Sequence, residues 1–118
     1  MLKKLYSWIF PPPLTPEELA QVEQQVEDLI KNNNVVVFSK TYCPFCNSAK
    51  GLLKSQNVEF TVVELDRETH GSAMQDYLER RSGQRTVPNI FIKQQHLGGC
   101  DDLKAADRDG RLQKMLAA

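Results

Sequence analysis

The sequence predicts an α/β domain: a small four-stranded mixed β-sheet with helices on both faces. Three observations predict it. Segments with apolar residues at helical spacing alternate with short apolar runs, in the order α-β-α-β-α-β-β-α. The β-α-β unit within that order implies a parallel central pair with a right-handed crossover. A short polar turn, residues 93–95, joins the last two apolar runs and implies an antiparallel hairpin. The 118 residues are one domain's worth. A chain of this length buries roughly 65% of its unfolded surface, so it needs no metal or disulfide staple to fold.

Residues 1–13, MLKKLYSWIFPPP, differ from the rest, and the domain is read as residues 14–118. The apolar cluster there is too short for a secretory signal, and no small-x-small cleavage site follows it. The basic, acid-free start fits a mitochondrial presequence, but it lacks arginine and has one serine. An extension stiffened by Pro11 to Pro13 is the favoured reading, with a cytoplasmic location. Thr15, Pro16, Glu17 and Glu18 then read as N-cap, first-turn proline and capping-box glutamate. Leu19, Val22, Val26, Leu29 and Ile30 follow on one helical face, and Asn32 to Asn34 end it. Val35 to Phe38, with three β-branched residues, reads as a strand covered on both faces. Ser48 to Ser55 carries Ala49, Leu52 and Leu53 as a second helix. Phe60 to Leu65 is a second strand, and Ser72 to Arg81 a third helix, ended by Gly83. Asn89 to Ile92 is the third strand, and His96 and Leu97 mark a fourth, broken by Gly98 and Gly99. Leu103, Leu112, Met115 and Leu116 supply a closing helical segment, interrupted near Gly110.

Fifteen Lys and Arg balance fifteen Asp and Glu, which argues against binding a phosphate backbone. The composition is that of an ordinary globular protein, and no apolar run approaches the ~20 residues of a membrane span. Three cysteines are too few for a disulfide framework. Cys43 and Cys46 form a Cys-x-x-Cys pair, whose spacing in a reducing compartment points to redox chemistry or half a metal site.

Cys43 falls just past the first strand, at or next to a helix N-terminus opened by Pro44. The unpaired amides of a first helical turn carry about half a positive charge, which favours a thiolate, and Lys40 adds a full one. Such settings bring cysteine pKa values to roughly 3.5–7.5. Cys46, one turn further in, is placed to attack a mixed disulfide on Cys43. Against this, His96 and Cys100 with the cysteine pair make four potential zinc ligands. However, 49 residues separate the halves, and predicted helices and strands fill them, so no metal is expected.

The run Lys40-Thr41-Tyr42-Cys43-Pro44-Phe45-Cys46 resembles the active site of a dithiol glutaredoxin. Thr86-Val87-Pro88, alone readable as an ordinary loop entering a strand, resembles a second signature of that family, and Gly98-Gly99-Cys100-Asp101-Asp102 a third. A thioredoxin would show Cys-Gly-Pro-Cys after a tryptophan, whereas the one tryptophan here is Trp8. The resemblance, from about residue 16 onward, implies a thioredoxin-like fold with glutathione as co-substrate. It implies a cis bond before Pro88, with Val87 offering its backbone to the cysteinyl part of glutathione and Thr86 beside it. Gly99, Cys100, Asp101 and Asp102 would hold the γ-glutamyl end, and Lys40 and Gln75 the glycine carboxylate. Tyr42 and Phe45 would wall the site.

The activity so implied is glutathione-dependent reduction of protein–glutathione mixed disulfides and protein disulfides, with Cys43 as nucleophile and Cys46 as resolving thiol. Its partners are glutathione, glutathionylated or disulfide-bonded proteins and, indirectly, glutathione reductase. A monomer is expected. Two rivals are an iron–sulfur cluster carrier ligated through Cys43 and glutathione, and a disulfide reductase served by a reductase enzyme. Pro44 and Cys46 count against the first, and the Gly98, Gly99 and Asp102 set against the second. Cys100 reads as a packing residue or exposed thiol. His70 is placed in a loop, and Arg80, Arg81 and Arg85 on a solvated face.

Overall fold

A computed structural model describes residues 12–118; the reading of residues 1–13 as an extension therefore lies outside the described residues except at Pro12 and Pro13. Helix α1 spans Pro16–Asn32, and its start carries the full capping box: the Glu18 amide donates to Thr15 Oγ1, and the Thr15 amide to Glu18 Oε1. Strand β1 (Val35–Ser39) is buried along its whole length, and helix α2 (Pro44–Ser55) follows. The apolar spacing had put that helix at Ser48; it begins four residues earlier because Pro44 suits its first turn and Cys43 caps it. Strand β2 (Thr61–Glu64) is one residue shorter at each end than predicted, because Leu65 turns into a single 3₁₀ turn, Leu65–Arg67. Helix α3 (Gly71–Ser82) extends one residue beyond the prediction at each end and closes on Gly83 at φ 78°. His70, placed in a loop by the sequence, is its N-cap.

Strands β3 (Asn89–Ile92) and β4 (Gln95–Gly98) form the predicted hairpin. Its turn is Lys93 and Gln94, both at positive φ, as a type I′ turn requires even where glycine is absent. The closing segment is two helices, α4 (Cys100–Asp109) and α5 (Arg111–Ala117), parted at Gly110 as the sequence suggested.

The sheet order is β2-β1-β3-β4, with β1 parallel to β2 and antiparallel to β3, and β3 antiparallel to β4. Alternate residues of β1 point to opposite faces. Val36 and Phe38 join Phe91, Val63 and the apolar faces of α1 and α3. Val35 and Val37 join Ile90, Ile92 and the inner faces of α2, α4 and α5. Each fully buried Val, Ile or Phe side chain contributes about 1.5–3 kcal/mol of transfer free energy, so both layers are held by the hydrophobic effect.

The register decides where chemistry gathers. Phe38 pairs with Asn89, and Ile90 with Gly98. The end of β1, the start of β3 and the end of β4 therefore lie side by side, bringing residues 40–46, 84–88 and 98–102 to one end of the sheet.

Candidate active site

Cys43 caps α2 with sulfur where a serine or aspartate oxygen usually sits: the Cys46 amide donates to Cys43 Sγ at 3.1 Å. That amide is one of the first-turn donors without an intrahelical partner, and its bond strengthens when the sulfur is negative. The loop before it is tied at both ends. The Cys43 amide donates to the Lys40 carbonyl at 3.1 Å. The Asp66 carboxylate takes the Thr41 amide at 3.0 Å and also the Thr41 hydroxyl, and those bonds hold its carboxyl below the usual range. Asp66 is a site-shaping residue that sequence reasoning missed; its only signal was an acid just after the second strand.

Cys46 lies within 2.5 Å of Cys43 and is fully buried. Burial first, then the neighbouring Cys43 sulfur, pushes its thiol up to about 11, so it keeps its proton at neutral pH. The two cysteines are thus unlike: Cys43 meets solvent at one edge, with 9% of its surface exposed, and Cys46 does not.

Opposite Cys43 stands Val87, whose carbonyl accepts from the Cys43 thiol at 3.7 Å. The Val87–Pro88 peptide is cis, as the resemblance implies. Gln84, also unforeseen, secures this loop: its Nε2 donates to the Thr86 carbonyl at 3.0 Å and the Pro88 carbonyl at 2.9 Å. Buried Asn89 extends the support, donating to Ser82 Oγ at 3.2 Å and pairing with His96 Nε2 at 2.8 Å. Burial pulls His96 below its ordinary value, so the neutral ring donates this bond. The ring nitrogen weighed as a metal ligand is thereby engaged with an amide.

A cleft of about 400 Å³ runs from Phe45 across Thr86, Val87 and Pro88 to Gly99, Cys100, Asp101 and Asp102. Asp102 Oδ2 accepts from the Gly99 amide at 2.9 Å, so the carboxylate is fixed at the start of α4 beside that helix's unpaired amides. Gly98 sits at φ +125°, and a Cβ there would run into the Asp102 carboxylate. A larger concavity, about 730 Å³, lies at the other end of the sheet, but its lining holds no cysteine or histidine.

Tyr42, Gln75 and Lys40 stand apart from that lining. Tyr42, 71% exposed, is not among the residues lining the cleft, whereas Phe45, 63% exposed, is. Gln75 donates to the Arg85 carbonyl at 2.8 Å, bracing the chain just before Thr86. Lys40 is half-buried at the end of β1, and among the described residues it makes no ion pair. Cys100 is buried against Leu103 and Ile90, so of its two readings the packing one is correct. Arg80, Arg81 and Arg85 all pair with acids: Glu23, Glu27, and Asp76 with Glu79.

A dithiol at a helix N-terminus, facing a cis-proline loop at the end of a mixed sheet, defines a thiol–disulfide exchange site on a thioredoxin-like fold. The comparisons specify it further. Residues 35–97 match the family described as Glutaredoxin. Glutaredoxin-1 of Rhizophagus irregularis is 54% identical over 100 residues, covering 85% of this chain and 99% of its own. The Ricinus communis glutaredoxin is 49% identical over 92 residues, covering 78% and 90%. The crystal structure of a buckwheat glutaredoxin–glutathione complex superposes with a TM-score of 0.84 at 43% identity, covering 88% of this chain and 94% of that one. The chain belongs to the glutaredoxin family. The cluster-carrier alternative is not favoured.

Proposed function

We propose that this glutaredoxin is a glutathione-dependent thiol–disulfide oxidoreductase in which Cys43 is the nucleophile and Cys46 the resolving thiol. The observation that carries the assignment is the asymmetry of the pair. Cys43 receives an N–H bond at a helix N-terminus and meets the carbonyl of Val87, a residue that lines the cleft, while Cys46 is enclosed and protonated. A Cys43 thiolate attacks the glutathione sulfur of a protein–glutathione mixed disulfide. The old S–S bond breaks, the protein thiolate leaves with its electron pair, and glutathione stays on Cys43. A second glutathione thiolate then attacks that sulfur, releasing glutathione disulfide and restoring Cys43. With a protein disulfide, Cys46 attacks instead and closes a Cys43–Cys46 disulfide. Exchange favours an ionised attacker and a good leaving thiol, and the helix terminus helps Cys43 in both roles.

The cleft suits glutathione as the related buckwheat protein binds it. The Val87 backbone can meet the cysteinyl unit, the first turn of α4 the γ-glutamyl carboxylate, and Asp102 the adjacent ammonium. Lys40 and Gln75 would complete the set at the glycine carboxylate. Substrates are glutathionylated and disulfide-bonded proteins, and glutathione reductase closes the cycle by reducing glutathione disulfide. The enzyme works as a monomer, and the cytoplasm, with its reducing glutathione pool, is its favoured compartment. Substitution tests the division of labour. Cys43→Ser should abolish deglutathionylation, while Cys46→Ser keeps much of it and loses protein-disulfide reduction. Equal loss of deglutathionylation in both would overturn the assignment.

A further inference from the structure

The resolving step needs Cys46 to lose a proton, yet Cys46 has no solvent contact. The proton therefore has to pass to a neighbouring group. Ser39, the last residue of β1, is also fully buried at the end of the sheet from which Cys46 follows, and its hydroxyl works against the burial that raises the Cys46 thiol. The same hydroxyl lies 3.3 Å from Glu64 Oε2 and 3.4 Å from the Lys40 carbonyl. The contact with Glu64 follows from the parallel register, in which Ser39 and Glu64 are direct partners. Glu64 Oε1 takes the Lys50 ammonium at 3.0 Å, and both side chains are about a fifth exposed, at 22% and 19%. Cys46 and Lys50 are four residues apart on α2 and face the same way. A buried thiol, a hydroxyl, a carboxylate and an ammonium thus run in file from the interior to solvent.

We propose that Ser39 and Glu64 carry the proton away from Cys46 as it resolves the mixed disulfide. Cys46 S–H gives its proton to Ser39 Oγ while the Ser39 proton moves to the Glu64 carboxylate. Cys46 Sγ attacks Cys43 Sγ, the bond from Cys43 to the substrate sulfur breaks, and the substrate thiolate departs with that electron pair. Glu64 then releases the proton to solvent or to the departing thiolate. Lys50 holds the carboxylate toward Ser39. The other groups nearby are the Cys43 sulfur, Lys40 after β1 and Asp66 beyond β2. Cys43 is in disulfide form during this step and does not titrate, and the Asp66 carboxylate is bound to Thr41.

The inference rests on Cys46 being the resolving thiol, and one experiment separates the two. The reduced protein is mixed in stopped flow with an aromatic disulfide whose released thiol is coloured. The first phase reports attack by Cys43, and the second, closure by Cys46. Cys46→Ser should lose the second phase; if it does not, the resolving assignment itself is wrong. Ser39→Ala and Glu64→Gln should slow the second phase relative to the first by about tenfold near neutral pH, the lower part of what positioned proton transfer supplies. The Glu64→Gln deficit should shrink between about pH 6 and pH 9, as hydroxide replaces the lost acceptor. A purely structural defect would persist across that range. Loss of the second phase in Cys46→Ser together with wild-type ratios in both other variants, or a deficit that ignores pH, would overturn the proton route alone.

Discussion

Gly98→Ala tests how the cleft fixes Asp102. At φ +125° an L side chain is strained, at a cost of about 1–3 kcal/mol. The added methyl also occupies the place of the Asp102 carboxylate. Moving that group breaks its bond to the Gly99 amide, worth about 0.5–1.5 kcal/mol net where water partly replaces it. The sum is roughly 2–4 kcal/mol. A domain of this length has on the order of 6–18 kcal/mol in total. At about 4 °C per kcal/mol, Tm should fall by roughly 8–16 °C, read by circular dichroism. The surviving fold should bind glutathione more weakly, because the carboxylate assigned to the ammonium has moved. A double-mutant cycle isolates the contact. Once Asp102→Ala has removed the carboxylate, Gly98→Ala should cost only the backbone strain, leaving a coupling of about 1 kcal/mol. Strict additivity, or a Tm within a degree or two of wild type, would refute the reasoning.

Asp66→Ala releases the Thr41 end of the active-site loop, and kcat/KM for a glutathionylated substrate should drop several-fold while the fold persists. Because the Asp66 carboxyl is held below its usual value, its contribution to stability is present above about pH 3.9 and disappears as pH falls through the lower folded value. The Tm difference between wild type and variant should therefore close in acid. Tyr77 donates to Glu27 Oε2 at 2.6 Å, linking α3 to α1, and that bond, with burial second, pushes the phenol up to about 12. Tyr77→Phe should cost about 1 kcal/mol at neutral pH. The wild-type advantage holds below about pH 10 and fades as pH rises through about 12, and ultraviolet titration of the wild type should show one tyrosine ionising late.

What was legible in the sequence is local. A capping box, an unbroken apolar strand and a proline after Cys43 are statements about neighbours in the chain, and the ends of α1 and β3 follow from them. For α2 the two local signals differ: apolar spacing alone starts it at Ser48, because Asn47 and Ser48 interrupt that spacing, whereas Pro44 after Cys43 marks the observed first turn. The site's supports were not legible. Asp66 meets Thr41, and Glu64 meets Ser39, each across 25 residues. Gln84 acts by folding back on carbonyls two and four residues on, which composition and periodicity do not record. The family resemblance supplied the residues proposed to face glutathione, but not the residues that hold them.

Those supports divide along β1. On its antiparallel side, β3 and β4 bring the Val87 loop and the Gly98–Asp102 turn together around the cleft, and these are the groups proposed to bind glutathione. On its parallel side, β2 brings Glu64 to Ser39 and so to Cys46, groups placed to move a proton. Cys43 is the one sulfur common to both. A substitution on the β4 side should therefore change affinity for glutathione and leave the ratio of the two exchange phases alone, whereas one at Glu64 should do the reverse. Distant sites without shared partners combine additively. Gly98→Ala and Glu64→Gln together should accordingly show the product of their separate effects on affinity and on resolution.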